Sequence, residues 1–323
     1  MIREEVSWQL DDVTMYGTLV RPEGEGPFPG VVLVAGSGPT DRDWNSPLLP
    51  GTNGSGRLLA EALAEAGFAS LRYDKRASGP HVRENLPRLI GTMSMASHLA
   101  ELKAAAGLLA GQEFVDDNRI VGLGNSEGCL HVIHYALGDH EPAFAGVILA
   151  SPPGRAVGEV LLMQLRTQLG QVPGGLELLP LVEEAAARYN RGEAMDLDER
   201  LPESVRMVLM SFETPANLPL ARELWSEDAA DALPGLTQPT LVIIGEKDLQ
   251  VDVRADGAPL QEAAAGKQNI GFVFPPTANH VLKEETRSLA ELAEAPGTGY
   301  NEEGTRLDPE SLDLVLGWLR ENI

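Results

Sequence analysis

The sequence predicts an α/β fold, a mostly parallel central sheet with helices on both faces. Three observations carry this. First, short unbroken apolar runs such as Val31-Val32-Leu33-Val34-Ala35 and Phe144-Ala145-Gly146-Val147-Ile148-Leu149-Ala150 are what a strand covered on both faces requires. Second, segments of helical periodicity separate these runs. Third, the chain opens with strict alternation over 4–10 and 13–20 around Asp11-Asp12, the pattern of a hairpin, expected at the antiparallel edge of the sheet.

The elements follow in order. Pro29-Gly30 introduces the 31–35 strand, and a polar loop covers 36–54. Residues 55–66 place Leu58, Leu59 and Leu63 on one helical face, and Gly67 ends that helix. A strand over 68–73 leads to a helix over 93–110, with Met95, Leu99, Leu102 and Leu109 on or near one face. The apolar run 119–123 is a strand, and residues 129–137 read as a helix. After the 144–150 strand, the last two strands are 240–244 and 270–274, and an amphipathic helix over 309–322 closes the chain. Between roughly 154 and 235 there is helical periodicity but no clear strand (Leu161, Leu162, Leu165; Leu178, Leu179, Leu181, Val182; Met207, Leu209, Met210). This segment interrupts the alternation and reads as an inserted helical cap, 154–235, on a core made of 1–153 and 236–323. Its Leu and Met faces, with Phe212 and Trp225, are expected to line an apolar pocket.

Composition narrows the function classes. A net charge of −23 argues against nucleic acid and anionic membrane surfaces as partners and favours neutral ligands. No run of eighteen apolar residues is present, so no membrane-spanning helix is expected. The charged, alternating start Met1-Ile2-Arg3-Glu4-Glu5-Val6-Ser7-Trp8 lacks the apolar core of a signal peptide, and a cytoplasmic location is expected. The single cysteine, Cys129, allows no intrachain disulfide and reads as a small packed residue.

The most informative stretch is Gly124-Asn125-Ser126-Glu127-Gly128, a G-x-S-x-G pattern set between a strand and a helix. Such a turn is too tight for side chains beside the serine, lifts its Oγ above the sheet and frees the next backbone N–H. A serine hydroxyl near neutral pH needs a base within hydrogen-bond reach and an acid to orient that base. Functional groups of an α/β sheet gather at the carboxyl ends of its strands. Asp248 follows the 240–244 strand and His280 follows the 270–274 strand, so both are expected at the edge that carries Ser126, in the order Ser, Asp, His. Glu246 and Asp252 are alternatives for the acid. His81 precedes the serine and breaks the order. His131 and His134 stand three apart on one helix, but with no carboxylate or thiolate evident nearby they read as packing rather than as a metal pair.

An oxyanion would need a second N–H donor from the loop after the 31–35 strand, Gly36-Ser37-Gly38-Pro39-Thr40-Asp41-Arg42-Asp43. Pro39 cannot donate, which leaves Ser37 or Gly38; Ser37 is favoured, paired with the N–H of Glu127. The charges of Asp41-Arg42-Asp43 and Arg72-Tyr73-Asp74-Lys75-Arg76 read as an ion-pair network propping that loop.

Taken together these residues resemble the α/β-hydrolase superfamily. The strings Gly36-Ser37-Gly38-Pro39-Thr40-Asp41-Arg42-Asp43, Arg72-Tyr73-Asp74-Lys75-Arg76 and Ala278-Asn279-His280-Val281-Leu282-Lys283 resemble the bacterial serine esterases near the dienelactone-hydrolase-like and acyl-CoA-thioesterase-like groups. Those enzymes often carry His and Gly where Asn125 and Cys129 stand, and Arg-Gly-x-Gly where this chain reads Arg76-Ala77-Ser78-Gly79. Dienelactone hydrolases use a cysteine nucleophile, so Ser126 argues against that activity. The resemblance implies a serine esterase that cleaves small-molecule carboxylic esters of short to medium acyl chain, with no metal and no organic cofactor. Acyl transfer, thioester or amide hydrolysis and non-catalytic binding on the same fold are the alternatives, and a homodimer is left open. The acidic 281–307 stretch before the last helix is long enough for a flap or an oligomer contact.

Overall fold

A computed structural model describes residues 1–49, 51–294, 301–302 and 304–323. The part of the 281–307 stretch at Pro296–Tyr300 therefore lies outside the described residues. Eight strands form one sheet: β1 (Ile2–Leu10), β2 (Val13–Arg21), β3 (Phe28–Val34), β4 (Ala69–Tyr73), β5 (Val115–Asn125), β6 (Phe144–Ala150), β7 (Thr240–Ile243) and β8 (Ile270–Val273). Their spatial order is β1-β2-β4-β3-β5-β6-β7-β8. Strands β3 to β8 are all parallel, and β1 and β2 add the antiparallel edge. This is the α/β-hydrolase architecture that the sequence predicts.

The helices are α1 (Ser55–Glu65), α2 (Val82–Asn85), α3 (Met95–Ala110), α4 (Glu127–Leu137), α5 (Val157–Gly170), α6 (Leu179–Asn190), α7 (Glu203–Ser211), α8 (Leu220–Trp225), α9 (Ala229–Ala232), α10 (Gly257–Ala263), α11 (Leu289–Glu294) and α12 (Pro309–Asn322). None of those described is long and apolar enough to cross a membrane.

Strand side chains alternate between two apolar layers because successive residues point to opposite faces of the sheet. On β6, Val147 and Leu149 join the layer containing Leu102 and Leu109 of α3 and Leu130 and Ile133 of α4. Ile148 and Ala150 join the layer containing Leu59 and Leu63 of α1 and Val315 and Leu319 of α12. Every central strand is therefore covered twice, which is why the sequence shows unbroken apolar runs instead of alternation.

Between β6 and β7 the described chain is entirely helix and connection. Helices α5 to α8 enclose an apolar cluster of their own, with Leu165, Leu169, Val182, Tyr189, Leu209 and Trp225 at its centre. The rings of Tyr189, Phe212 and Trp225 meet at centroid distances of 4.7 to 6.2 Å. Phe212 and Trp225 thus fill the interior of this segment, contrary to the expectation that they line a pocket. Met207 and Met210 are exposed to solvent. An amphipathic face must be covered, and here the neighbouring helices of the same segment cover it.

Candidate active site

Because β3 to β8 run parallel, the loops that follow β3, β4, β5, β7 and β8 emerge at one edge. Ser126 sits in the turn between β5 and α4 with φ 55° and ψ −124°. That conformation costs a non-glycine residue about 1–3 kcal/mol, so its surroundings must enforce it. They do so at several points. Ser126 N–H donates to Ala150 O of the neighbouring strand at 2.9 Å, and Ser126 O accepts from Cys129 N–H at 2.9 Å. The two glycines of the motif allow the compression. A Cβ on Gly124 would lie 2.4 Å from Gly128 O, and one on Gly128 would lie 2.4 Å from Val34 O of β3.

Asp248 and His280 meet. Asp248 Oδ2 accepts from His280 Nδ1 at 2.8 Å, and the Asp248 side chain is fully buried. Its other oxygen, Oδ1, accepts from the backbone N–H groups of Gln250 (2.8 Å) and Val251 (2.9 Å). This carboxylate is thus held as an acceptor on both sides, and it keeps the imidazole proton on Nδ1 and the Nε2 lone pair free. The alternative acids are placed otherwise. Glu246 is exposed. Asp252 Oδ1 accepts from the N–H groups of Arg254 and Ala255. The two loops can approach because residue 245 is glycine: a Cβ there would fall 2.0 Å from Ala278 O.

Ser126 and His280 line one cavity of about 130 Å³ together with Gly36, Ser37, Trp44, Gln250 and Val281. Among the described residues, the imidazole bonds Asp248 and makes no hydrogen bond to Ser126 Oγ; such catalytic contacts commonly tighten only when substrate binds. The backbone after β3 presses on the serine: a Cβ on Gly36 would lie 3.2 Å from Ser126 Cβ. The Glu127 N–H belongs to the first turn of α4, where no carbonyl of the helix can accept it. Ser37 is exposed to the cavity side of the same loop, and its carbonyl accepts from Thr40 Oγ1 at 2.7 Å. No residue of 157–235 contributes to this cavity wall.

The charged run after β4 is internally paired. Arg42 grips Asp74 through Nε (3.0 Å), Nη2 (2.6 Å) and its backbone N–H (2.8 Å). Arg72 bonds Asp43 at 2.6 Å, and Arg76 is paired with buried Glu101. Gly79, at φ +78°, leaves room for this: a Cβ there would lie 2.3 Å from the Asp74 carboxylate. The network anchors the 36–45 loop to β4.

Three features escaped sequence reasoning. Asn125 Nδ2 donates to His280 O at 2.9 Å and to Ala150 O at 3.3 Å, tying the serine turn to the histidine loop. Lys75 points inward, with Nζ 2.5 Å from Gly36 O and 3.3 Å from Glu127 Oε1. His98 of α3 stacks near His131 at a ring-centroid distance of 4.9 Å, while His131 Nε2 contacts Glu127 Oε1 at 3.1 Å. The sequence reads His131 and His134 as packing residues with no carboxylate evident nearby, but a carboxylate contacts each: Glu127 on His131 and Glu227 on His134, the latter at 2.7 Å. His98, Glu127 and His131 are close enough to ligate one ion, their donor atoms lying within 4.8 Å of one another. The Glu127 carboxylate is already taken up by the Lys75 ammonium, which a cation would have to oppose. Burial by itself would raise the Glu127 carboxyl, but Lys75 and the hydrogen bond to His131 hold it well below the usual carboxylate range. Burial, reinforced by His131 and Lys75, pushes His98 well below the usual imidazole value.

Cys129 lies in the first turn of α4, fully buried, with Sγ 3.2 Å from Gly124 O and 3.3 Å from Ala150 O. Burial pushes its thiol well up, away from thiolate reactivity. His81 lies outside the site, exposed, stacked on Tyr16 and bonded to Glu84.

Residues 31–295 match the Alpha/beta hydrolase family, to which this chain belongs, in keeping with a parallel sheet that carries a serine on a strand-to-helix turn. The chain is 26% identical over 316 residues to the esterase EstD of Thermotoga maritima, covering 97% of this chain and 68% of EstD. Among solved structures it is similar to the alpha/beta hydrolase GrgF from Penicillium sp. sh18, at a TM-score of 0.60 and 17% identity over 100% of this chain and 99% of that one. It is also similar to a dienelactone hydrolase from Anabaena variabilis, at a TM-score of 0.53 and 18% identity over 100% and 98% of the two chains.

Proposed function

We propose that this protein hydrolyses carboxylic esters through an acyl-enzyme on Ser126. The observation that carries the reading is the buried Asp248–His280 hydrogen bond of 2.8 Å, opening onto the cavity that the strained Ser126 also lines. In this reading Ser126 Oγ attacks the ester carbonyl while His280 Nε2 takes its proton. Asp248 keeps the proton of the neutral ring on Nδ1 and stabilises the imidazolium that forms. The N–H groups of Ser37 and Glu127 receive the tetrahedral oxyanion. His280 then protonates the leaving alcohol and activates water for deacylation. Similarity to a protein named as an esterase supports the same reaction class.

The cavity supports the short end of the acyl range. Its volume of about 130 Å³, with Trp44, Leu49 and Val281 among the lining side chains, has room for an acyl group of a few carbons. We assign the 154–235 segment as a cap, supported by its position between β6 and β7 and by the apolar cluster of α5 to α8, while Ala229, Ala230 and Leu233 at its end join the core of the sheet.

The test is hydrolysis of p-nitrophenyl acetate, butyrate and octanoate by the wild type and Ser126→Ala, together with stoichiometric labelling by an organophosphonate. The expected result is turnover that falls with chain length, vanishes in Ser126→Ala, and is lost in step with labelling. Undiminished turnover in Ser126→Ala would end the proposal.

A further inference from the structure

We propose that Lys75 is a positioning residue that aligns both donors of the oxyanion site, a reading that rests on the function proposed above. Its ammonium is buried, with side-chain exposure of 4%, and contacts two acceptors: Gly36 O at 2.5 Å and Glu127 Oε1 at 3.3 Å. Each contact controls one donor. Gly36 O and Ser37 N–H belong to the same peptide group, which is planar and trans, so they point in opposite directions. An ammonium fixed on that oxygen therefore fixes where the Ser37 N–H points. It also draws electron density through the amide and makes the N–H a stronger donor. The second contact reaches the side chain of the residue whose own N–H is the other donor. His131, on the same helix, contacts the same Oε1 at 3.1 Å, so the Glu127 carboxylate is fixed within α4 and Lys75 links it to the loop after β3.

A lysine present only to neutralise Glu127 would not need the close contact with Gly36 O. The neighbouring cations Arg42, Arg72 and Arg76 are each engaged with a carboxylate of the loop network or of α3, which leaves Lys75 as the cation of this run that touches both donor elements. The arrangement is that of preorganised transition-state stabilisation, in which donors are held in place before charge develops.

The test is Lys75→Met, read only on Ser126-dependent turnover so that it is separate from the test of the esterase reading. Loss of a single oxyanion donor typically lowers kcat by about 10²–10³-fold; misaligning donors that remain present is expected to lower it by about 10–100-fold. KM for p-nitrophenyl butyrate should stay within about twofold. The affinity of an alkyl trifluoromethyl ketone, whose adduct with Ser126 carries the oxyanion, should fall by the same factor as kcat/KM. Lys75→Arg, which keeps a buried cation and N–H donors, should restore part of both. Because Lys75→Met leaves the buried Glu127 carboxylate without its lysine countercharge, the double variant Lys75→Met/Glu127→Gln provides a comparison without that charge. A lowered kcat with a matching loss of ketone affinity in a well-folded variant supports the assignment. A lowered melting temperature with wild-type kcat and wild-type ketone affinity would show a purely structural lysine and overturn it.

Discussion

Replacing Asp248 by Asn is the most demanding perturbation of the proposed chemistry, because the geometry around this residue dictates how the amide must sit. Asp248 Oδ1 accepts from two backbone N–H groups and Oδ2 from one imidazole nitrogen. An asparagine has only one acceptor oxygen. Turned toward Gln250 and Val251, that oxygen keeps both backbone bonds and presents the NH₂ group to His280 Nδ1. The opposite orientation would set NH₂ against two N–H donors in a buried site and leave both unpaired. The first orientation is therefore enforced, and Nδ1 must accept. The imidazole proton then moves to Nε2, the atom that should receive the proton of Ser126. The same tautomer inversion in a serine protease lowers kcat by about 10⁴-fold, which is a barrier increase of about 5.4 kcal/mol. Folding should change little, since the packing volume and the two backbone bonds are kept. The assay is kcat for p-nitrophenyl butyrate beside a thermal melt. A well-folded Asp248→Asn variant within tenfold of wild-type kcat would refute the tautomer argument and return attention to the other carboxylates of the loop.

Three further outcomes follow from particular contacts. Asn125→Ala removes the donor to His280 O and leaves that buried carbonyl unpaired, at about 1–3 kcal/mol of stability, and kcat should fall as the histidine loop loosens; a melt and a rate both equal to wild type would contradict the tether. His98 is held well below the ordinary imidazole pKa by burial, then by His131 and Lys75, so below about pH 6.5 the unfolded chain binds a proton that the folded chain refuses. Its contribution is therefore intact above that pH and declines by about 1.4 kcal/mol per pH unit below it, and urea titrations from pH 7 to 5 should give a shallower slope in His98→Gln; parallel slopes would count against this assignment. Trp225→Ala empties the centre of the α5–α8 cluster and should cost about 3–5 kcal/mol in that segment while the sheet keeps its own melting transition, with unchanged stability the disproving result.

Much of this layout is legible in the sequence, because strand ends are local features. The runs at 31–35, 119–123 and 240–244 each announce a covered strand, and whatever follows a parallel strand must arrive at one edge. For that reason Ser126, Asp248 and His280 can be expected at one edge, where Asp248 and His280 are hydrogen-bonded and Ser126 and His280 line one cavity. The choice among Glu246, Asp248 and Asp252 was harder, since all three leave β7 within one short loop and only the close approach of Gly245 to Ala278 determines which carboxylate faces the ring. The periodicity around Leu161, Leu209 and Trp225 identifies an apolar face but not what covers it, so it points Phe212 and Trp225 to a pocket, whereas they pack inside the helical segment. Lys75 and His98 were beyond reach for a similar reason. Their meaning depends on α3, α4 and the loop after β3 converging, and none of these is near the others in sequence.

The order in which the parts occur along the chain has a consequence for biosynthesis. Ser126 and the loop after β3 lie in the first half of the chain, whereas β7 and β8, which carry Asp248 and His280, come after the long helical segment. β7 must bypass about ninety residues to pair with β6, a non-local contact that forms late in folding. On the proposed mechanism, a nascent chain would therefore expose its serine turn before the base proposed to activate it is in place. Hydrolytic competence should appear only when the far edge of the sheet closes, so recovered activity during refolding is expected to lag behind the return of helical signal.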